Sequence, residues 1–129
     1  MEEFLDKLYS SNDEVDKTVL DILRVLIVFN GVIWKSEIFD SILKVRRGHI
    51  DYLPTPDLVK KAIKILREKN IIDVEERPRG DLTTGKITKD LLIKLKDPRV
   101  NSFMLRDEIL KEYRALVYSE IQKAIKNND

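Results

Sequence analysis

Apolar positions recur with helical spacing in five stretches of the chain, with strand-like alternation confined to the region between residues 71 and 95. Residues 2–10 place Phe4, Leu5, Leu8 and Tyr9 on one side of a short helix. Ser10-Ser11-Asn12-Asp13 then supplies a break and a cap. From about residue 13 to 30, Val15, Val19, Ile22, Leu23, Leu26 and Ile27 make a wide stripe, and Val25, Val28 and Phe29 extend it nearly all round. That pattern predicts a central core helix, ended by Asn30-Gly31. Val32-Ile33-Trp34 is a short β-prone link. Ile38, Phe39, Ile42 and Leu43 give a second helix from Ser36 to about Arg47, ended by Gly48.

Thr55-Pro56-Asp57 is a strong helix start: a capping hydroxyl, a proline in the first turn and an acid at the positive dipole end. The third helix runs over 56–69, with Leu58, Val59, Ala62, Ile63, Ile65 and Leu66 on one side and Asn70 as its stop. Ile71–Glu76 reads as a strand. Ile87, Leu91, Ile93 and Leu95 form a second, alternating one. Turn formers between them make a β-hairpin whose basic tip is expected to lack bulky apolar groups. A last helix from about Asn101 to Lys126 carries Leu105, Ile109, Tyr113 and Leu116 in one row, with Val117 and Ile121 in an adjoining one. At 1.5 Å per residue it would be roughly 39 Å long, more than one small domain covers.

Composition narrows the function classes. At 129 residues the chain is one domain in length, with 43% hydrophobic and 36% charged residues and no cysteine. Disulfides, thiol catalysis and Cys-based zinc sites are excluded, and a single histidine, His49, leaves little for a metal site or a triad. No nucleophile–base set or phosphate loop is present, so the expectation is a protein that is not an enzyme and needs no cofactor. No apolar run nears a membrane span and the acidic N-terminus lacks a signal pattern, which predicts a cytoplasmic protein. Abundant Ile, Lys and Glu with one glutamine, Gln122, give a thermophile-like composition.

The net charge of +1 is unevenly distributed. Residues 1–34 hold 3 basic and 7 acidic side chains, residues 35–99 hold 16 and 11, and residues 100–129 hold 5 of each. A basic middle between acidic and neutral ends is suited to a face that meets an anion.

Helix, short strand, helix, helix and two-stranded wing is an order that resembles the winged helix-turn-helix superfamily over about Thr18 to Lys96. The resemblance is carried by Ile22–Leu26 ending at Asn30-Gly31, by Ser36-Glu37-Ile38, and above all by Leu58–Ile72. The chain is similar to small archaeal and bacterial transcription regulators with an added C-terminal dimerisation helix. The linker after Gly48 is longer than the tight turn of simple members, which leaves the docking angle of the third helix open. The expected fold is mainly α with a small β-hairpin (α+β). A short N-terminal helix (1–12) precedes a winged domain (13–98) and a dimerisation helix (99–129).

The resemblance implies double-stranded DNA as partner, with helix 56–69 in the major groove and wing 77–86 on the minor groove or backbone. Lys60, Lys61, Lys64 and Arg67 lie opposite the apolar stripe, where Lys and Arg reach phosphates and guanine edges. Thr55 and the first-turn amides offer a phosphate site. Arg77, Arg79 and Lys86 flank Gly80 and Gly85 in the wing, and Lys44, Arg46 and Arg47 form a third cluster. Each cluster also has a bland reading: a solvated helix face, an exposed turn, or cations complementing a helix C-terminus. Leu105, Ile109, Tyr113, Leu116, Val117 and Ile121 are the expected homodimer interface, unless the last helix folds back on its own domain. The alternative function is a winged-helix protein-interaction module in a replication, transcription or membrane-remodelling assembly. It is kept open by Asp73, Glu75 and Glu76 beside the wing. Trp34 is expected in the core, His49 in a linker, and no residue demands a small-molecule effector.

Overall fold

In the computed structural model, which describes residues 1–127, helix α1 (Glu2–Ser10) sends Leu5 and Leu8 into the core. Asp13 caps α2 (Glu14–Val28), its carboxylate accepting the Val15 amide at 2.9 Å. Helix α2 is the axis of the core: Val19, Ile22, Leu23, Val25 and Leu26 are fully enclosed. Each such side chain contributes about 1.5–3 kcal/mol through burial. Asn30 and Gly31 end the helix in the left-handed region (φ 59° and 90°), and the Gly31 amide donates to the Leu26 carbonyl.

Strand β1 (Val32–Trp34) leads into a 3-10 turn at Lys35–Glu37, then α3 (Ile38–Val45). The second helix therefore starts two residues later than its pattern predicts. The Ser36 hydroxyl and the Glu37 carboxylate are committed to partners across the sheet, which holds this segment as a tight turn. Helix α4 (Pro56–Glu68) begins where expected, with the Thr55 hydroxyl accepting the Leu58 amide at 3.2 Å. It packs on α2, and Asn70 (φ 57°) stops it.

Strand β2 (Ile72–Gly80) and strand β3 (Ile87–Leu95) complete an antiparallel sheet of order β1-β3-β2. Ile33 faces Ile93, and Ile93 faces Val74. These residues, with Ile72, form the sheet's core side. Pro78 is tolerated because β2 is an edge strand. Of the alternating set on β3, Ile93 is enclosed and Leu91 and Leu95 half-buried, whereas Ile87 lies beyond the core and is 76% exposed.

The single last helix expected from about residue 101 is divided. Helix α5 (Arg99–Phe103) and a 3-10 turn (Met104–Arg106) end at Asp107, which is extended, and α6 (Glu108–Asn127) starts anew. Burial of the Asp107 carboxylate drives the break, because its side chain is 0% exposed and bonded inward. Val100, Met104 and Leu110 join the main core, so the chain beyond residue 98 is packed with the rest through Leu110. Asn128 and Asp129, at the end of the segment read as a dimerisation helix, lie outside the described residues. The architecture is α+β: mainly helical, with a three-stranded antiparallel sheet, a hairpin and flanking helices. Its element order is compatible with a winged helix-turn-helix domain. Among the described residues no helix is long and apolar enough to cross a membrane.

Candidate nucleic-acid interface

Helix α4 separates its two sides cleanly. Val59, Ala62, Ile63 and Leu66 are buried, and Lys60, Lys61, Lys64 and Arg67 are exposed. Lys61 pairs with Asp57 one turn earlier at 3.0 Å. Lys60, Lys64 and Arg67 form no ion pair among the described residues. At 1.5 Å per residue these three cations span roughly 10 Å along the helix. Thr55 is spent on its cap, so its hydroxyl serves the helix start.

The wing is arranged differently from the sequence expectation. Arg77 and Arg79 lie within β2, and the tip is Asp81–Lys86. Arg79 turns back to the sheet: it bonds Ser36, Asp90 and Glu37, and its guanidinium lies 5.1 Å from the Trp34 ring centroid. Hydrogen bonding to Glu37 raises the Arg79 pKa. Arg77 pairs with Glu75 at 2.8 Å. The acids of β2 also hold lysines of β3 and of the residue after it: Glu76 to Lys89, Glu75 to Lys94, and Asp73 to Lys96. Bonds from Lys94 and Arg77 depress the Glu75 pKa. Lys86 is the one tip cation outside these pairs among the described residues, and beside it Leu82 is fully exposed. The tip thus carries a bulky apolar side chain, contrary to expectation, because the Asp81 carboxylate folds the turn onto the Thr83 and Thr84 amides and turns Leu82 outward. Trp34 is likewise half-buried under Arg79 rather than in the core.

The third cluster is split. Lys44 is exposed, 5.9 Å from the Phe29 ring. Arg47 reaches Glu112 on α6 at 3.0 Å. Arg46 is turned inward, its side chain 15% exposed and paired with Asp51 at 3.5 Å. His49 is exposed. The N-terminal ends of α3 and α4 and the base of the wing meet around a mainly apolar cavity of about 400 Å³, lined by Phe39, Pro56, Val59 and Asp90. The basic helix and the wing base therefore border one concavity.

A buried ionic cluster was not anticipated. Asp107 accepts the Tyr9 hydroxyl at 2.6 Å, Arg24 Nε at 2.9 Å and the Leu110 amide at 2.9 Å. Asp21 accepts Arg24 Nη1 at 2.8 Å and the Tyr52 hydroxyl at 2.6 Å. Arg46, Asp51 and Lys17 continue it to the surface. Three carboxylates face three cations. Burial of Arg24 works against its charge, but Asp107 and Asp21 outweigh that and raise its pKa. Burial, reinforced by Asp107 and Asp21, pushes the Tyr9 and Tyr52 hydroxyls well above the usual tyrosine range. The available signal was Asp21 and Arg24, the two charged residues inside the otherwise apolar stretch Val19–Phe29.

Of the expected dimer residues, Leu105 sits on the 3-10 turn, 63% exposed, off the axis of α6. Ile109 packs against the core. Tyr113, Leu116 and Val117 are half-buried, and Ile121 is 52% exposed. Tyr118 and Ile125 add to this exposed apolar surface. Among the described residues no three His, Asp or Glu side chains converge as metal ligands. Neither a protein-family model nor a curated protein matches the chain.

Proposed function

We propose that this protein is a winged helix-turn-helix regulator that binds duplex DNA as a homodimer, acting by binding rather than catalysis. The observation that carries this reading is the unmatched row Lys60, Lys64 and Arg67 on the outer face of α4. A helix of this width fits the major groove, and cations with no partner of their own contribute most to phosphate contact. Lys86 and Lys44 add charge at the margins, whereas Arg46, Arg79 and Thr55 are spent internally and drop out of the interface. The row of half-buried Val117 with exposed Ile121 and Ile125 on α6 supplies the surface for a second copy.

The test is duplex binding as a function of salt. Three phosphate contacts per protomer give a log–log slope of about −0.9 for each. Retained affinity with no slope excludes the reading. Truncation after Glu112 keeps Val100, Met104 and Leu110 in place, and light scattering is expected to show a folded monomer.

A second reading, docking to another protein, is favoured by the wing: its cations other than Lys86 are matched by acids, and its tip carries Leu82. Leu82→Ser with DNA affinity unchanged but partner capture lost would support it.

A further inference from the structure

Between α1 and the junction of α5 with α6 lies a cavity of about 440 Å³ that shares no lining residue with α4. Glu2, Asp6 and Tyr9 line it from α1, with Phe103, Arg106 and Asp107 on the opposite side. Two aromatic rings are open to it, Tyr9 at 44% and Phe103 at 38% exposure. The Tyr9 ring is pinned: its hydroxyl donates to Asp107 and the Arg24 guanidinium lies 5.9 Å from its centroid.

Charge in this cavity is incomplete. Glu2, Asp6 and Arg106 are exposed and pair neither with one another nor with any other described residue. Asp107 is already balanced by Arg24. The free lining charge is two carboxylates against one guanidinium, so a single positive charge completes it. Aromatic faces and carboxylates attract the same group, an organic ammonium, and Phe103 shelters an apolar body attached to it.

We propose that this cavity is a binding site for a small organic monocation with an apolar body, an aromatic amine by class. The site adjoins the side chains that fix the start of α6, so occupancy stiffens the α1–α6 junction. The proposal does not rest on DNA binding and is read on the protein alone.

The experiment titrates the isotope-labelled full chain with phenethylammonium, and with hydrocinnamate as an anion of similar size, following backbone amides by NMR. Saturable shifts at Tyr9, Phe103 and Asp107 are expected with the ammonium and not with the anion. Glu2→Gln combined with Asp6→Asn should weaken binding about tenfold. Both residues are exposed, so an unchanged melting temperature separates lost binding from lost fold. Absence of saturable shifts there, an equal response to the anion, or unchanged affinity in the double variant would overturn the proposal.

Discussion

Two regions of this molecule use charge in opposite ways. At the junction of α1, α2 and α6, Asp21, Arg24 and Asp107 are buried and matched, and each oxygen has a donor. Along α4, Lys60, Lys64 and Arg67 are exposed and unmatched. A buried charge that loses its partner is costly, so the first region is a constraint on geometry. An exposed cation costs nothing to leave free, so the second is available to a partner. The wing lies between these cases, exposed but paired, and its content of arginine alone misjudges its availability.

The strongest break of this comparison is Asp107→Ala, which leaves Arg24 Nε and the Tyr9 hydroxyl without their acceptor, Arg24 with Asp21 alone, and α6 without its cap. A stability loss of about 3–5 kcal/mol is expected in denaturant titration; a loss under about 1 kcal/mol would mean the cluster constrains nothing. Lys60→Glu with Lys64→Glu should instead leave stability within about 0.5 kcal/mol. It should also remove duplex binding in the same buffer; a destabilised double variant would show that this face is not free.

Alkali sharpens the contrast. The Tyr9 and Tyr52 hydroxyls are raised above their unfolded value by burial and their carboxylate partners. Their contribution is complete below the unfolded pKa of about 10 and is lost as pH rises beyond it. Melting temperature should therefore fall above that pH, and fall less in Tyr9→Phe with Tyr52→Phe. Acid acts on a half-buried carboxylate with an exposed partner. Arg99 holds the Asp97 carboxyl at about 2. Its contribution is present above the unfolded value near 3.9 and disappears as pH drops toward 2. Asp97→Asn should differ from the parent at neutral pH and converge with it in strong acid. Smallest of all, Arg77→Ala in the wing is expected to cost under about 1 kcal/mol, as exposed pairs do, and to leave the salt slope of DNA binding intact.

The linear pattern determined much of this protein. Thr55-Pro56, Asn30-Gly31 and Asn70 act through their own backbone and nearest neighbours, so the limits of α4 and the end of α2 follow from short-range chemistry. The buried side of α4 follows from its period. What only the tertiary structure decided is which charges are spent. Arg79 meets Glu37 across 42 positions and Arg24 meets Asp107 across 83, and no spacing rule links such residues. The same long-range contact cut the last helix at Asp107, which local helix preference alone had no reason to interrupt. Helix ends are set by neighbours in the chain; the fate of an ionic side chain is set by whatever the fold brings beside it.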